Sequence, residues 1–127
     1  MRLLLDTHAL IWWAADHSGL SDRARRGIVQ SPEVLVSAAS AWEMATKVSL
    51  GGLPSAVDLV ADFEGSLKNR GILVLAITAG HGIRAGLLPG PHKDPFDRML
   101  IAQAQAENLA IVSNDIVFDH YGVRRLW

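Results

Sequence analysis

Arg2-Leu3-Leu4-Leu5-Asp6-Thr7-His8 sets three leucines directly against a polar stop. A run this short, ended this sharply, reads as a buried strand passing into a loop. Working outward, Ala9 to Ala15 reads as a short helix, and Ser21 as the N-cap of a helix over Asp22 to Val29 that Pro32 ends. Val34-Leu35-Val36 is a second strand. Ser37 or Ser40 caps a third helix reaching about Leu50, with an apolar stripe at Ala38, Ala41, Trp42, Ala45 and Val48. Gly51-Gly52 ends it and Pro54 prevents its continuation. Ser55 to Asn69 reads as one amphipathic helix stopped by Gly71, and Ile72 to Leu75 as a third strand. Thr78 caps a short helix to about Gly86, and Leu87 to Lys93 is a loop rich in proline and glycine. Pro95 suits the first turn of a helix running to about Glu107. Ala110 to Ser113 is a fourth strand, Asn114-Asp115 opens a turn or short helix, and Val123 to Leu126 is a last strand.

Strands alternating with helices imply parallel pairing and right-handed crossovers. The expectation is an α/β fold, a three-layer α/β/α sandwich on a central, mainly parallel sheet, with residues 1–127 forming a single domain. Half of the 127 residues are hydrophobic and 20% are charged, which excludes a disordered tail protein. The 12 basic and 13 acidic side chains leave a formal net charge of -1, so the chain is no wholly basic phosphate binder. Without cysteine there is no disulfide framework, thiolate zinc site or cysteine nucleophile. Ala9 to Ala15 and Ile72 to Ile77 are the longest apolar stretches, far below the roughly 18 residues of a membrane span. Asp6 interrupts the N-terminal leucines, so they make no signal peptide. These features predict a cytoplasmic protein with no membrane contact.

The acids carry the functional information. Asp6 follows the first strand, Asp115 follows the fourth, and Glu43 lies on the helix leaving the second. Groups beyond the carboxyl ends of parallel strands gather at one mouth. Asp97 occupies the first turn of the helix feeding the fourth strand. As a plain crossover this helix is expected to start at the opposite edge. It reaches the mouth if it runs antiparallel across the site or starts after an extra turn, for which the Leu87 to Lys93 loop is long enough. Each acid also has a structural use: Asp6 and Asp115 as caps, Asp97 as a partner of the helix dipole, Glu43 as an i,i+4 partner of Lys47. Carboxylates crowded together resist ionising, and a hard divalent cation relieves that repulsion. Mg²⁺ takes oxygen ligands and keeps several waters, so a few carboxylates suffice.

Leu3-Leu4-Leu5-Asp6-Thr7-His8, Ser40-Ala41-Trp42-Glu43-Met44-Ala45-Thr46-Lys47, Asp94-Pro95-Phe96-Asp97-Arg98-Met99-Leu100-Ile101-Ala102-Gln103-Ala104 and Val112-Ser113-Asn114-Asp115 occur in that order. Together they resemble the PIN-domain family, and more narrowly its VapC-type toxins of type II toxin–antitoxin pairs. The resemblance spans nearly the whole chain, and the Asp-Pro-Phe-Asp-Arg run marks one branch of the family. It implies a metal-dependent ribonuclease whose acidic positions are Asp6, Glu43, Asp97 and Asp115, and that the Asp97 helix does start at the site. It also implies a VapB-type antitoxin as partner. Mg²⁺, with Mn²⁺ as substitute, would orient and acidify the attacking water and stabilise the departing oxyanion of RNA. Asp6 and Asp97 are expected as direct metal ligands, Asp115 directly or through water, and Glu43 as the group positioning a metal-bound water or a second ion. Asp94 reads as a helix-start residue and Asp119 as peripheral.

Arg23, Arg25 and Arg26 read as a solvated helix face, and Arg124 and Arg125 lie near the chain's end. Lys93 and Arg98 flank the acidic motif, and Arg98 is the favoured phosphate or carboxylate contact. His8 reads as a helix-start polar group, and His81, His92 and His120 lack the i,i+4 pairing of a zinc site. Trp12 and Trp13 are adjacent, so one is expected in the core and the other at an interface, ahead of base stacking. Four tryptophans in a chain half apolar point to a homodimer, as does the resemblance. A receiver-type signalling domain would share the layering and an acidic Mg²⁺ pocket. It would need an acceptor Asp after the middle strand, where Leu75-Ala76-Ile77 stands, and a late Lys, whereas none follows Lys93. A haloacid-dehalogenase-type phosphatase would need an acid where His8 stands. A free-standing PIN nuclease without antitoxin, and a silent interaction module, are the remaining alternatives.

Overall fold

Leu3–Leu5 forms β1 at the centre of the molecule, and all three leucines are buried. The computed structural model describes residues 1–90 and 92–127. Pro91, within the expected loop from Leu87 to Lys93, lies outside the described residues. β1 pairs in parallel with β2 (Val34–Ser37) on one side and with β4 (Ala110–Val112) on the other. β3 (Leu73–Leu75) extends the sheet beyond β2, and β5 (Arg125–Leu126) beyond β4, giving the order β3-β2-β1-β4-β5 with all four pairings parallel among the described residues. The register Leu5↔Val36 and Leu5↔Val112 levels the carboxyl ends of the three inner strands.

The pleat divides the core in two. Leu3, Leu5, Val34, Val36, Ala110 and Val112 face one layer, built on α1 (Thr7–Ala14), α2 (Asp22–Gln30) and two short helices, α4 (Val57–Ala61) and α5 (Phe63–Asn69). Leu4, Leu35 and Ile111 face the other, where α7 (Pro95–Glu107) contributes Leu100, Ile101 and Ala104 beside Phe118. Alternate strand residues thus meet helices on both faces, as buried parallel strands require. This is the expected α/β/α sandwich.

The expected helix over Ser55 to Asn69 is broken. A 3₁₀ turn over Pro54–Ala56 precedes α4, and Asp62 leaves helical geometry (φ -145°, ψ 70°) to cap α5 by accepting the Gly65 N–H at 3.3 Å. A side-chain acceptor competing for the backbone outweighs the helical periodicity there. Leu87, assigned to the loop from sequence, is instead the last residue of α6 (Ala79–Leu87).

The start of α7 corrects the crossover expectation. A helix that delivers the chain to the beginning of a parallel strand runs against that strand and so begins at the carboxyl edge. Here α6 packs against α7 in the opposite sense. His81, in the first turn of α6, lies 2.8 Å from Glu107, the last residue of α7. At the other end Arg98 of α7 donates to the Ala85 carbonyl of α6 at 2.8 Å. The extra helix supplies the added turn, and Asp97 enters the same mouth as Asp6 and Asp115.

Candidate active site

The side chains at this mouth enclose a cleft of about 440 Å³, lined by Asp6, Glu43, Asp94, Asp97 and Asp115, with Thr7, His8, Trp12, Lys47, Asn114 and Phe118. A larger hollow of about 520 Å³ beside Leu87, Leu88 and Tyr121 has no carboxylate in its wall. The chemistry therefore belongs to the smaller one.

Each acid reaches the cleft through local structure. Asp6 ends β1 and caps α1, its Oδ1 accepting the Ala9 N–H at 2.7 Å. Asp115 follows β4 and caps a 3₁₀ helix over Ile116–Tyr121, accepting the Val117 N–H at 3.0 Å. Asp97 lies in the first turn of α7, and its Oδ2 is 2.8 Å from Nε2 of His92. Glu43 rises from α3 (Ala38–Ser49), capped by Ser37.

α3 corrects the expected stripe. Its buried residues are Ala39, Ser40, Glu43 and Met44, while Trp42 is 62% exposed. The helix is turned so that two polar residues face inward. The reason is Thr7, buried in the first turn of α1, whose hydroxyl donates a short hydrogen bond to Glu43 Oε1 and lies 3.1 Å from Ser40 Oγ. A buried carboxylate needs such partners. Lys47 donates to the second oxygen, Oε2, at 2.8 Å, so the i,i+4 pair read from the sequence is present. Both oxygens of Glu43 are therefore engaged.

Burial pushes the Asp6 carboxyl above its ordinary value. Hydrogen bonds from Ser113 and Ala9 and the nearby His8 pull it down, and Glu43 adds to the rise. Burial also raises Asp97. The hydrogen bond from His92 opposes this, while the charges of Asp94 and Glu43 raise it further. Glu43 thus raises both aspartates. Carboxylates that resist ionising together are neutralised by a proton or a cation.

The donor set fits a hard divalent ion: it is all oxygen, without thiolate. Among the described residues no three His, Asp or Glu side chains form a ready-made ligand group. Each acid is instead held by a donor of the protein, which fixes its direction. Among the described residues Asp97 Oδ1 and Asp115 Oδ2 carry no hydrogen bond, whereas each oxygen of Glu43 accepts one.

Other expected contacts lie elsewhere. Arg98 turns from the cleft: its guanidinium donates to the carbonyls of Ala85, Leu88 and His92 and ties the end of α6 to the start of α7. Several carbonyls converging on one charged fork outcompete a contact in solvent. Arg25 is paired with Asp16 at 2.7 Å, and Arg125 with Asp119 at 2.8 Å. Neither Asp119 nor Lys93 lines the cleft. Sequence reasoning did not single out Thr7 or Asn114, nor His92 as the partner of Asp97. Thr7, next to Asp6 at a helix start, was the one with a readable signal.

A parallel sheet of this order with five carboxylates in the cleft at its carboxyl edge defines an α/β domain with an acidic candidate site. The chain belongs to the PIN-domain family, whose family model matches residues 3–123. It is 27% identical over 114 residues to Ribonuclease VapC22 of Mycobacterium tuberculosis (strain ATCC 25618 / H37Rv), covering 89% of this chain and 86% of that protein. Its fold is similar to that of DNA-bound VapBC from Salmonella typhimurium, with a TM-score of 0.70 at 19% identity, covering 98% of this chain and 96% of that one. It is also similar to the Sarcin-Ricin loop cleaving toxin VapC20 of Mycobacterium tuberculosis, with a TM-score of 0.64 at 19% identity and 95% of both chains covered. No helix among the described residues is long and apolar enough to cross a membrane.

Proposed function

We propose that this chain is a divalent-metal-dependent endoribonuclease acting in the cytoplasm as the toxin of a type II toxin–antitoxin pair. The observation that carries this reading is the meeting of Asp6, Glu43, Asp97 and Asp115 in one polar cleft at the carboxyl edge of the sheet. Membership of the PIN-domain family and the likeness to VapC proteins support the ribonuclease and its VapB-type partner.

Asp6 and Asp97 would hold Mg²⁺ or Mn²⁺ directly, and Asp115 directly or through water. When bound, the ion would orient and acidify water and offset charge on the phosphate and departing oxygen. Glu43, with its oxygens oriented by Thr7 and Lys47, would position a metal-bound water or a second ion. His92 would hold Asp97 in position from behind. The chain would act as a homodimer through the apolar face around exposed Trp42, where Trp42, Ile77, Ala85, Phe96 and Met99 line a shallow hollow.

The test is cleavage of single-stranded or looped RNA by the purified protein in Mg²⁺ or Mn²⁺, expected to stop in EDTA. Cleavage unchanged in excess chelator overturns the metal reading. Expression of this chain alone is expected to slow growth, with relief by the product of a small reading frame beside it. A partner that binds without restoring growth overturns the toxin–antitoxin reading.

A further inference from the structure

The cleft is not uniformly acidic. On its flank stand Trp12 of α1 and Lys47 of α3, the only Lys or Arg among the described residues that line it. The other phenyl or indole ring in the wall, Phe118, is buried at 1% exposure, whereas Trp12 is part-exposed.

Trp12 is held in a frame. The His17 imidazole stacks on it with ring centres 5.1 Å apart and planes 13° from parallel, and the Trp127 ring tilts against it at 5.9 Å. His17 is itself fixed. Its N–H donates to the Trp12 carbonyl at 2.8 Å, its Nδ1 accepts the Gly19 N–H at 2.8 Å, and Arg25 donates to its carbonyl at 3.0 Å. A Cβ at Gly19 would lie 2.8 Å from Nδ1 of the imidazole, so a larger residue there would displace the ring. An indole immobilised before binding loses little conformational freedom on binding. Among the described residues Lys47 spends one N–H on Glu43 and keeps two, with its side chain 43% exposed.

We propose that Trp12 and Lys47 form a nucleotide subsite beside the acids, Trp12 stacking one unpaired base and Lys47 contacting a phosphate of the same strand. The proposal rests on the ribonuclease reading above and adds the side chains that would hold one nucleotide beside the acids. Every base has a π-face, so the subsite tolerates any base. A base in a duplex is already stacked, so the subsite suits the single-stranded or looped RNA named above. The sequence alone ranked stacking last among uses for these tryptophans. The placement of Trp12 in the cleft wall reverses that ranking.

The experiment measures binding of a fluorescein-labelled RNA octamer to the full chain carrying Asp97→Asn, by anisotropy. The intact octamer is compared with octamers carrying one abasic residue at each position in turn. One abasic position is expected to weaken binding about tenfold. Adding Trp12→Ala should weaken the intact octamer similarly and erase the abasic effect, while Trp12→Phe should keep most of both. Lys47→Gln should weaken all octamers alike and lower the salt slope by about one, with Lys47→Arg restoring it. A flat abasic profile, or an abasic loss unchanged in Trp12→Ala, overturns the subsite. If Trp12→Ala does not fold, the abasic profile and Trp12→Phe still decide. Cleavage of the octamer by the unsubstituted chain in Mn²⁺ with a flat profile sinks the subsite alone. Neither binding nor cleavage of any RNA sinks the ribonuclease reading with it.

Discussion

Asp94 Oδ1 accepts the backbone N–H of Asp97 at 3.2 Å and that of Phe96 at 2.9 Å. Asp94 therefore caps α7, and Asp97, three residues on, is released from that duty to face the cleft beside His92. The two aspartates of one motif divide the work between helix start and site.

Substitutions should separate these roles. Asp97→Asn is expected to abolish cleavage without unfolding the protein, because the cap remains and the dipole loses at most about 1 kcal/mol. Asp94→Ala is expected to cost about 1 kcal/mol of stability through loss of the cap. In wild type, Mg²⁺ at 100 times its Kd should add about 2.7 kcal/mol. Asp94→Ala should keep most of that gain and Asp97→Asn should lose most of it. Melting curves in Mg²⁺ and in EDTA, beside a cleavage assay, check this. An unchanged Mg²⁺ shift and intact cleavage in Asp97→Asn would remove Asp97 from the site.

The raised Asp6 carboxyl predicts a pH dependence in metal-free protein. Its folded value lies above the unfolded value of about 3.9, so the group's stabilising contribution is full below that pH and is lost as pH rises through the folded value. Asp6→Asn stays neutral, and asparagine caps a helix about as well as aspartate. In EDTA the variant should melt above wild type at pH 7, the gap closing on acidification toward about pH 4. In Mg²⁺ the order should reverse. A gap that widens on acidification would contradict the burial argument.

Arg98 predicts a structural loss. Arg98→Ala leaves the carbonyls of Ala85, Leu88 and His92 without their shared donor, at a cost of about 2–3 kcal/mol. Arg98→Lys should recover little, since an ammonium cannot reproduce the planar fork. Denaturant midpoints measure both. Wild-type stability in Arg98→Ala with weakened RNA binding would return Arg98 to the phosphate role.

Trp42, 62% exposed and edge-on to Phe96 with ring centres 4.8 Å apart, predicts association. Sedimentation at micromolar concentration should give about twice the 13.7 kDa of one chain, and Trp42→Glu should give one chain. A wild-type mass of one chain refutes the dimer.

Much of this architecture is legible locally. Short apolar runs alternating with capped helices define the strands, their parallel pairing and the three layers, because each signal lies within a few residues. Asp6 and Asp115 are readable as strand-end acids for the same reason. What periodicity could not give was the rotation of α3. Trp42 faces solvent and Glu43 the interior because Met44 on the same face enters the core and Thr7, 36 residues before Glu43, meets its carboxylate. Nor could spacing within the chain turn Arg98 onto the carbonyls at the end of α6, set His92 against Asp97, or frame Trp12 with His17 and the distant Trp127. Hydrophobic pattern and capping act over a turn or two, so the chain itself determines its elements and their order. The direction of a charged or aromatic side chain depends on partners that only packing brings within reach, and so the tertiary structure alone decided it.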